Sequence, residues 1–128
     1  MVDIRQERGK AAEVAVAAAL EAEGFTIVAL NLRLGHLELD IVARCAELVV
    51  VVEVRSRGPG ARTTGFGSIS ATKRDRIRRA AKRLWRDRYM LDPTVCRLRL
   101  DAASVTFRGG QAQISYCAGA ISFDAVPT

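Results

Sequence analysis

The stretch Leu37-Glu38-Leu39-Asp40-Ile41-Val42-Ala43, followed by Leu48-Val49-Val50-Val51-Val52-Glu53-Val54-Arg55, decides the fold. Both halves are apolar and rich in β-branched residues, as strands are. Arg44-Cys45-Ala46-Glu47 between them is enough for a short hairpin connection. Side chains on a strand alternate faces, so Glu38, Asp40 and Val42 share a face, as do Val49, Val51, Glu53 and Arg55. A loop from Cys45 to Leu48 would pair Arg44 with Val49, Val42 with Val51, and Asp40 with Glu53. Two carboxylates would then face each other across the ladder.

Such a pair is unfavourable without help, because like charges directly opposite destabilise a sheet. At ~5 Å and an effective dielectric of ~20 the repulsion is roughly 3 kcal/mol. A raised pKa on one acid, or a bound cation, relieves it. The cation reading makes the hairpin a site for a hard divalent metal, which prefers oxygen ligands. A register shifted by one residue, or a wet sheet face, would instead leave two acids with no shared role.

A chain of 128 residues has the size of one domain, 1–128, with a single core. Its net charge of +6 suggests a polyanionic partner or an anionic membrane surface. The first residues, Met-Val-Asp-Ile-Arg-Gln-Glu-Arg, are polar, unlike a secretory signal. The longest aliphatic run, residues 48–52, is far too short to span a bilayer. Cys45, Cys96 and Cys117 are odd in number and widely spaced. That argues against a disulfide framework or a zinc site, and for a reducing, cytoplasmic compartment. His36, the sole histidine, has no second ligand nearby in sequence and reads as a turn residue.

Around the hairpin, residues 10–23 are alanine-rich and predict a helix that Gly24 ends. Residues 1–8 read as a loose lead-in. Glu13, Val16, Ala17 and Leu20 fall on one face of this helix. Glu13 sits at the stripe's edge near the helix N-terminus, or points as a third acid toward the hairpin's carboxylates. Residues 25–30 read as a strand and 31–35 as a turn. Residues 56–68 read as a Gly-rich loop carrying Arg57 and Arg62, either an ordinary surface loop or a cationic flap over a phosphate backbone.

Thr72-Lys73-Arg74-Asp75 resembles a capping box, and a long helix follows to about Tyr89. Ile77, Ala80, Ala81 and Leu84 form its buried stripe, and Trp85 among the arginines reads as core, with stacking on a base as the alternative. The remainder is cationic: Lys73, Arg74, Arg76, Arg78, Arg79, Lys82, Arg83, Arg86 and Arg88 stand against only Asp75 and Asp87. This one helix therefore accounts for the chain's whole positive excess. A solvated face usually mixes signs, so the imbalance favours phosphate contacts. Residues 97–102 alternate Leu98 and Leu100 against Arg97, Arg99 and Asp101, a half-buried strand. Residues 104–107 and 113–117 around Gly109-Gly110 predict a final hairpin, with residues 124–128 frayed.

Several ordered motifs are familiar. They are Gly9-Lys10-Ala11-Ala12-Glu13, Gly24-Phe25, Asn31-Leu32-Arg33, Glu38-Leu39-Asp40-Ile41-Val42-Ala43, Val51-Val52-Glu53-Val54-Arg55-Ser56-Arg57, Lys73 with Arg76-Ile77, and Arg99-Leu100-Asp101. In this order they resemble the PD-(D/E)xK nuclease superfamily. More closely they resemble the small bacterial YraN family of predicted endonucleases, themselves similar to archaeal Holliday junction resolvases. Two positions depart from the pattern. Leu37 replaces a common glycine, and Arg55 stands where the superfamily has lysine.

The resemblance implies a restriction-endonuclease-like α/β fold: a central mixed sheet flanked by helices, in the order αβββαβ with a C-terminal hairpin. It implies Mg²⁺- or Mn²⁺-dependent hydrolysis of phosphodiester bonds in DNA, branched or repair intermediates included. Asp40, Glu53, the Val54 carbonyl and Glu13 would hold the metal. Arginine does not readily deprotonate, so Arg55 would orient the phosphate, and Lys73 could supply an ammonium. Arg57, Arg62, Lys73, Arg74, Arg76, Arg78, Arg79, Lys82 and Arg83 would track the nucleic-acid backbone. Junction resolvases act as dimers, which makes a homodimer an expectation here. A non-catalytic nucleic-acid-binding module on the same fold is the alternative. A membrane-surface role is disfavoured because the basic helix has a small, alanine-rich apolar face.

Overall fold

Four consecutive valines, Val49 to Val52, are all buried. A strand reads this way when both of its faces are covered. The computed structural model describes residues 4–57 and 69–123. These valines belong to β3 (Leu48–Arg57), the middle strand of a five-stranded sheet in the order β1-β2-β3-β4-β5. The others are β1 (Thr26–Leu34), β2 (Leu37–Cys45), β4 (Arg97–Arg108) and β5 (Gln111–Ile121). β3 and β4 run parallel, and the other neighbours antiparallel. The sheet is thus mixed, as expected.

Val50 and Val52 pack with Ala12, Val16, Ala17 and Leu20 of α1 (Ile4–Ala22). Val49 and Val51 pack with Ile77, Ala80, Ala81 and Leu84 of α2 (Ala71–Leu84), the stripe read from the sequence. Each valine so covered stabilises the fold by roughly 2 kcal/mol. The helices therefore flank the sheet. α2 runs on as a π-helical turn, Trp85–Tyr89, and Trp85 packs against the α2-side core.

The central hairpin has the expected register, with Arg44 opposite Val49 and Val42 opposite Val51. Cys45 and Leu48 also pair, so the connection is the two-residue turn Ala46-Glu47, with Ala46 at φ 53°. The ladder stops at Ile41–Val52, one pair short of Asp40 and Glu53. Leu39 and Val42, three residues apart, both join the α2-side core. Strict alternation forbids that, so β2 changes phase between them, at Asp40.

Other boundaries differ from the sequence reading for identifiable reasons. α1 starts at Ile4, so residues 4–8 are helical rather than a loose lead-in. Gly9 costs a helix about 1 kcal/mol relative to alanine without breaking it. At the other end Gly24, at φ 99°, lets Phe25 N–H reach the Leu20 carbonyl and its own N–H reach Glu21. This is a Schellman stop.

β1 runs through the expected turn at 31–35 as far as Leu34, because Leu32 and Leu34 pack on the α2-side core. Asn31 alone adopts a left-handed φ of 51°, which asparagine tolerates. β3 absorbs Ser56 and Arg57. The rest of the expected loop, with Arg62, lies outside the described residues, as does the expected fraying at 124–128. The N-cap of α2 is Ser70, whose Oγ accepts the Lys73 N–H at 3.1 Å, in place of a box at Thr72.

β4 is one strand where two were expected, since residues 100–105 are buried between β3 and β5 with no turn residue among them. Asp101 lies inside rather than on a wet face, only 1% exposed. Arg99 clamps it through Nε and Nη2 at 2.8 and 2.9 Å, Gly119 N–H donates to it at 2.8 Å, and the Tyr116 hydroxyl also donates to it. Gly109 and Gly110, at φ 58° and 78°, make the tight turn of the final hairpin. Among the described residues no helix is long and apolar enough to cross a membrane.

Candidate functional site

Where β2 leaves the ladder, Asp40 Oδ2 accepts the backbone N–H of Val54 at 2.9 Å. The side chain thereby satisfies a donor that β2 no longer meets with its backbone. It also brings the Asp40 carboxyl beside Glu53. Burial, foremost, and then the Glu53 charge push the Asp40 carboxyl up to about 7 from its ordinary 3.8. The Val54 N–H opposes this rise, while a hydrogen bond with Glu53 and the charge of Glu13 add to it. The protein relieves the neighbouring carboxylates in part by this raised pKa on Asp40.

It also uses a cation of its own. Glu53 is 5% exposed, and Lys73 Nζ lies 2.8 Å from its Oε1. That oxygen accepts no aligned hydrogen bond from the described residues. The contact is therefore an ion pair by distance but not a directed bond.

Glu13 comes from α1, on the opposite layer from α2. Its Oε2 accepts a hydrogen bond from Asn31 Nδ2 at 2.9 Å. Burial raises its pKa most, the Asn31 bond lowers it, and repulsion from Glu38 and Glu53 raises it again. Glu13 thus feels the other acids without joining them. Among the described residues no three acidic, histidine or cysteine side chains close into a metal cage. Asp40 and Glu53 both line one cleft, whereas Glu13 does not line it and is hydrogen-bonded to Asn31.

A cleft of about 640 Å³ opens over Asp40 and Glu53. His36, Leu37 and Glu38 complete its strand wall, and Lys73, Arg76, Ile77 and Arg79 form its helix wall. Of the cations read as nucleic-acid contacts, Lys73, Arg76 and Arg79 stand in this cleft. Arg74, Lys82 and Arg83 are exposed elsewhere on α2. Arg83 lies 3.7 Å from Asp87, and its Nη1 crowds Gly35, where an added Cβ would meet it at 2.8 Å. Arg78 Nε donates to the Ser122 carbonyl at 2.7 Å, a structural duty the sequence did not reveal. Arg55 is half-buried and does not line the cleft. Arg57 ends β3 opposite Thr106.

Sequence reasoning missed two residues here. His36 occupies the expected turn but also faces the cleft, and nothing in its neighbours signals that. Asn31 was readable only as a turn residue, although an asparagine inside a strand is a mark of special backbone.

The donors over the cleft are carboxylate oxygens, buried and electron-rich, with one oxygen already in contact with a cation. This set fits a hard divalent ion such as Mg²⁺ or Mn²⁺ better than a soft one.

The family comparisons agree with the chain's motifs. The solved structure of Pyrococcus furiosus SfsA in complex with Ca²⁺ overlaps 89% of this chain and 63% of that one, at 18% identity and a TM-score of 0.44. This chain thus spans less than two thirds of that one's length. UPF0102 protein sce2912 of Sorangium cellulosum is 50% identical over 105 residues, 82% of this chain and 73% of that protein. A UPF0102 protein of Nitratidesulfovibrio vulgaris (strain Hildenborough) is 35% identical over all 128 residues and 92% of its own length. The profile of the "Uncharacterised protein family UPF0102" matches residues 12–105, a span that holds Glu13, Asp40, Glu53 and the whole of α2. The chain belongs to the UPF0102 family, the YraN-type group that its motifs resemble.

Proposed function

We propose that the protein is a divalent-metal-dependent endonuclease that cuts the DNA backbone, on a fold of the PD-(D/E)xK type. The observation that carries this reading is the pair Asp40 and Glu53, side by side under a cleft whose opposite wall is the basic helix α2. Phosphodiester hydrolysis needs two such features together: concentrated negative charge for a metal, and positive charge for the phosphates.

Asp40 and Glu53, with the Val54 carbonyl, would hold Mg²⁺ or Mn²⁺. The ion, when bound, would acidify a water and neutralise phosphate charge. Asp40 would then ionise, since a cation at its oxygens offsets both the burial and the Glu53 charge that raise its pKa. Arg76 and Arg79 would seat the phosphates flanking the cut. Arg55, one pleat beyond Glu53, would orient the backbone strand as it leaves the cleft. Glu13 adds negative charge from the α1 side. Recognition rests on backbone charge and DNA shape, because the cleft-facing cations of α2 suit phosphates rather than base edges.

The test is nicking of labelled single-stranded, duplex and four-way branched DNA with Mg²⁺, Mn²⁺ or EDTA. Metal-dependent cleavage that drops at least about 100-fold in Asp40→Asn and Glu53→Gln is expected. Undiminished cleavage by both variants would sink the assignment.

One observation favours a second reading, a nucleic-acid-binding module without catalysis. Lys73 already neutralises Glu53. That reading predicts salt-sensitive DNA binding with no cleavage under any of these metals.

A further inference from the structure

The ion pair between Lys73 and Glu53 joins unequal partners. The glutamate side chain is 6% exposed, and the lysine side chain 49%. A buried carboxylate next to a second one demands a cation, and α2 delivers it from outside on a long arm. The root of that arm is fixed: the Lys73 N–H donates to Ser70 Oγ at the helix cap. Its tip is not, because four rotatable carbons separate backbone and ammonium, and Glu53 Oε1 makes no aligned hydrogen bond with it. The same cleft holds Arg76 and Arg79, so phosphate drawn there comes within reach of Lys73.

We propose that Lys73 is a displaceable internal counterion: its ammonium holds the Glu53 carboxylate in the metal-free protein, yields that oxygen to a divalent cation, and moves to the phosphates in the cleft. The proposal rests on the nuclease reading above and adds a coupling to it. A divalent ion carries twice the charge of an ammonium and interacts with both carboxylates, so it wins the oxygen. An ammonium beside that ion is repelled, and a phosphate drawn in by Arg76 and Arg79 can receive it in the same cleft. Metal and nucleic acid therefore each favour the other's binding through one side chain. Linkage makes that effect reciprocal.

The experiment measures Mn²⁺ binding by electron paramagnetic resonance, with and without a phosphorothioate oligonucleotide that resists cleavage. The wild type, Lys73→Met, Lys73→Arg and Asp40→Asn are compared, with circular dichroism confirming that each is folded. Lys73→Met should bind Mn²⁺ about tenfold more tightly than wild type without DNA, the equivalent of about 1.4 kcal/mol. The oligonucleotide should tighten Mn²⁺ binding to the wild type several-fold more than to Lys73→Met, which keeps only the direct attraction between ion and phosphate. Lys73→Arg keeps a competing cation and should stay near wild type. Equal Mn²⁺ affinities in wild type and Lys73→Met, both lost in Asp40→Asn, would overturn the counterion role and leave the metal centre standing. No Mn²⁺ binding by any variant would overturn the centre itself, and the counterion role with it.

Discussion

Asp40 holds Val54 by a side-chain-to-backbone hydrogen bond of 2.9 Å, at the point where the ladder between their two strands has ended. The carboxylate is thus a structural part of the sheet as well as a candidate ligand. Its raised pKa gives a testable sign. The folded-state value, about 7, lies above the ordinary 3.8, so the Asp40 proton favours folding. That contribution is complete below about pH 4 and lost as pH rises through about 7. In EDTA the wild-type melting temperature should fall between about pH 4 and about pH 7, by about 4 °C for each kcal/mol lost. Asp40→Asn keeps an acceptor for Val54 but has no charge to bury, so its melting curve should be flatter over that range. Parallel pH dependences in the two proteins would contradict the assignment.

The cluster around Asp101 should behave as a fold determinant. Asp101→Ala would remove the buried carboxylate that Arg99, Tyr116 and the Gly119 N–H share, at a cost of about 1–3 kcal/mol. Burial and the adjacent Asp101 push the Tyr116 hydroxyl well above its ordinary range, so it stays a donor at any working pH. Tyr116→Phe removes one bond of several and should cost about 1 kcal/mol. Urea unfolding with unchanged slope would measure both.

The basic helix divides into two kinds of arginine. Arg76 and Arg79 line the cleft, whereas Arg78 is tied to the Ser122 carbonyl. Replacing Arg76 and Arg79 together by alanine should lower the salt dependence of DNA binding by about two counterions. Arg78→Ala should lower the melting temperature and leave that salt slope nearly intact. Binding isotherms at several salt concentrations separate the two outcomes.

Asn31 combines a left-handed backbone with a hydrogen bond to Glu13. Asn31→Gly and Asn31→Ala both free the carboxylate, but only glycine takes the left-handed backbone without strain. The alanine variant should be the less stable of the two by about 1–2 kcal/mol in chemical denaturation.

Much of this architecture is visible in the residues themselves. The apolar runs 41–43 and 49–52 announce the two inner strands, and the short connection between them sets Val42 opposite Val51. Ile77, Ala80, Ala81 and Leu84 announce the buried side of α2 in the same way. What stays hidden depends on partners distant in the chain. Asp101 looks exposed by alternation because nothing local says that Tyr116 and Gly119 on β5 will cover it. Glu13 points toward the acids by helical spacing, but Asn31, eighteen residues on, captures it. The Lys73 contact depends on the reach of a flexible side chain, which no periodicity encodes.

α2 fixes two things with one winding: which residues face the sheet and where Lys73 stands relative to Glu53. Each residue turns a helix by about 100°. A single insertion between Lys73 and Ile77 would swing the lysine to another side while the buried stripe stayed docked. Descendants of this sequence can therefore exchange side chains along the segment with ease, but a change in its length would cost them the alignment.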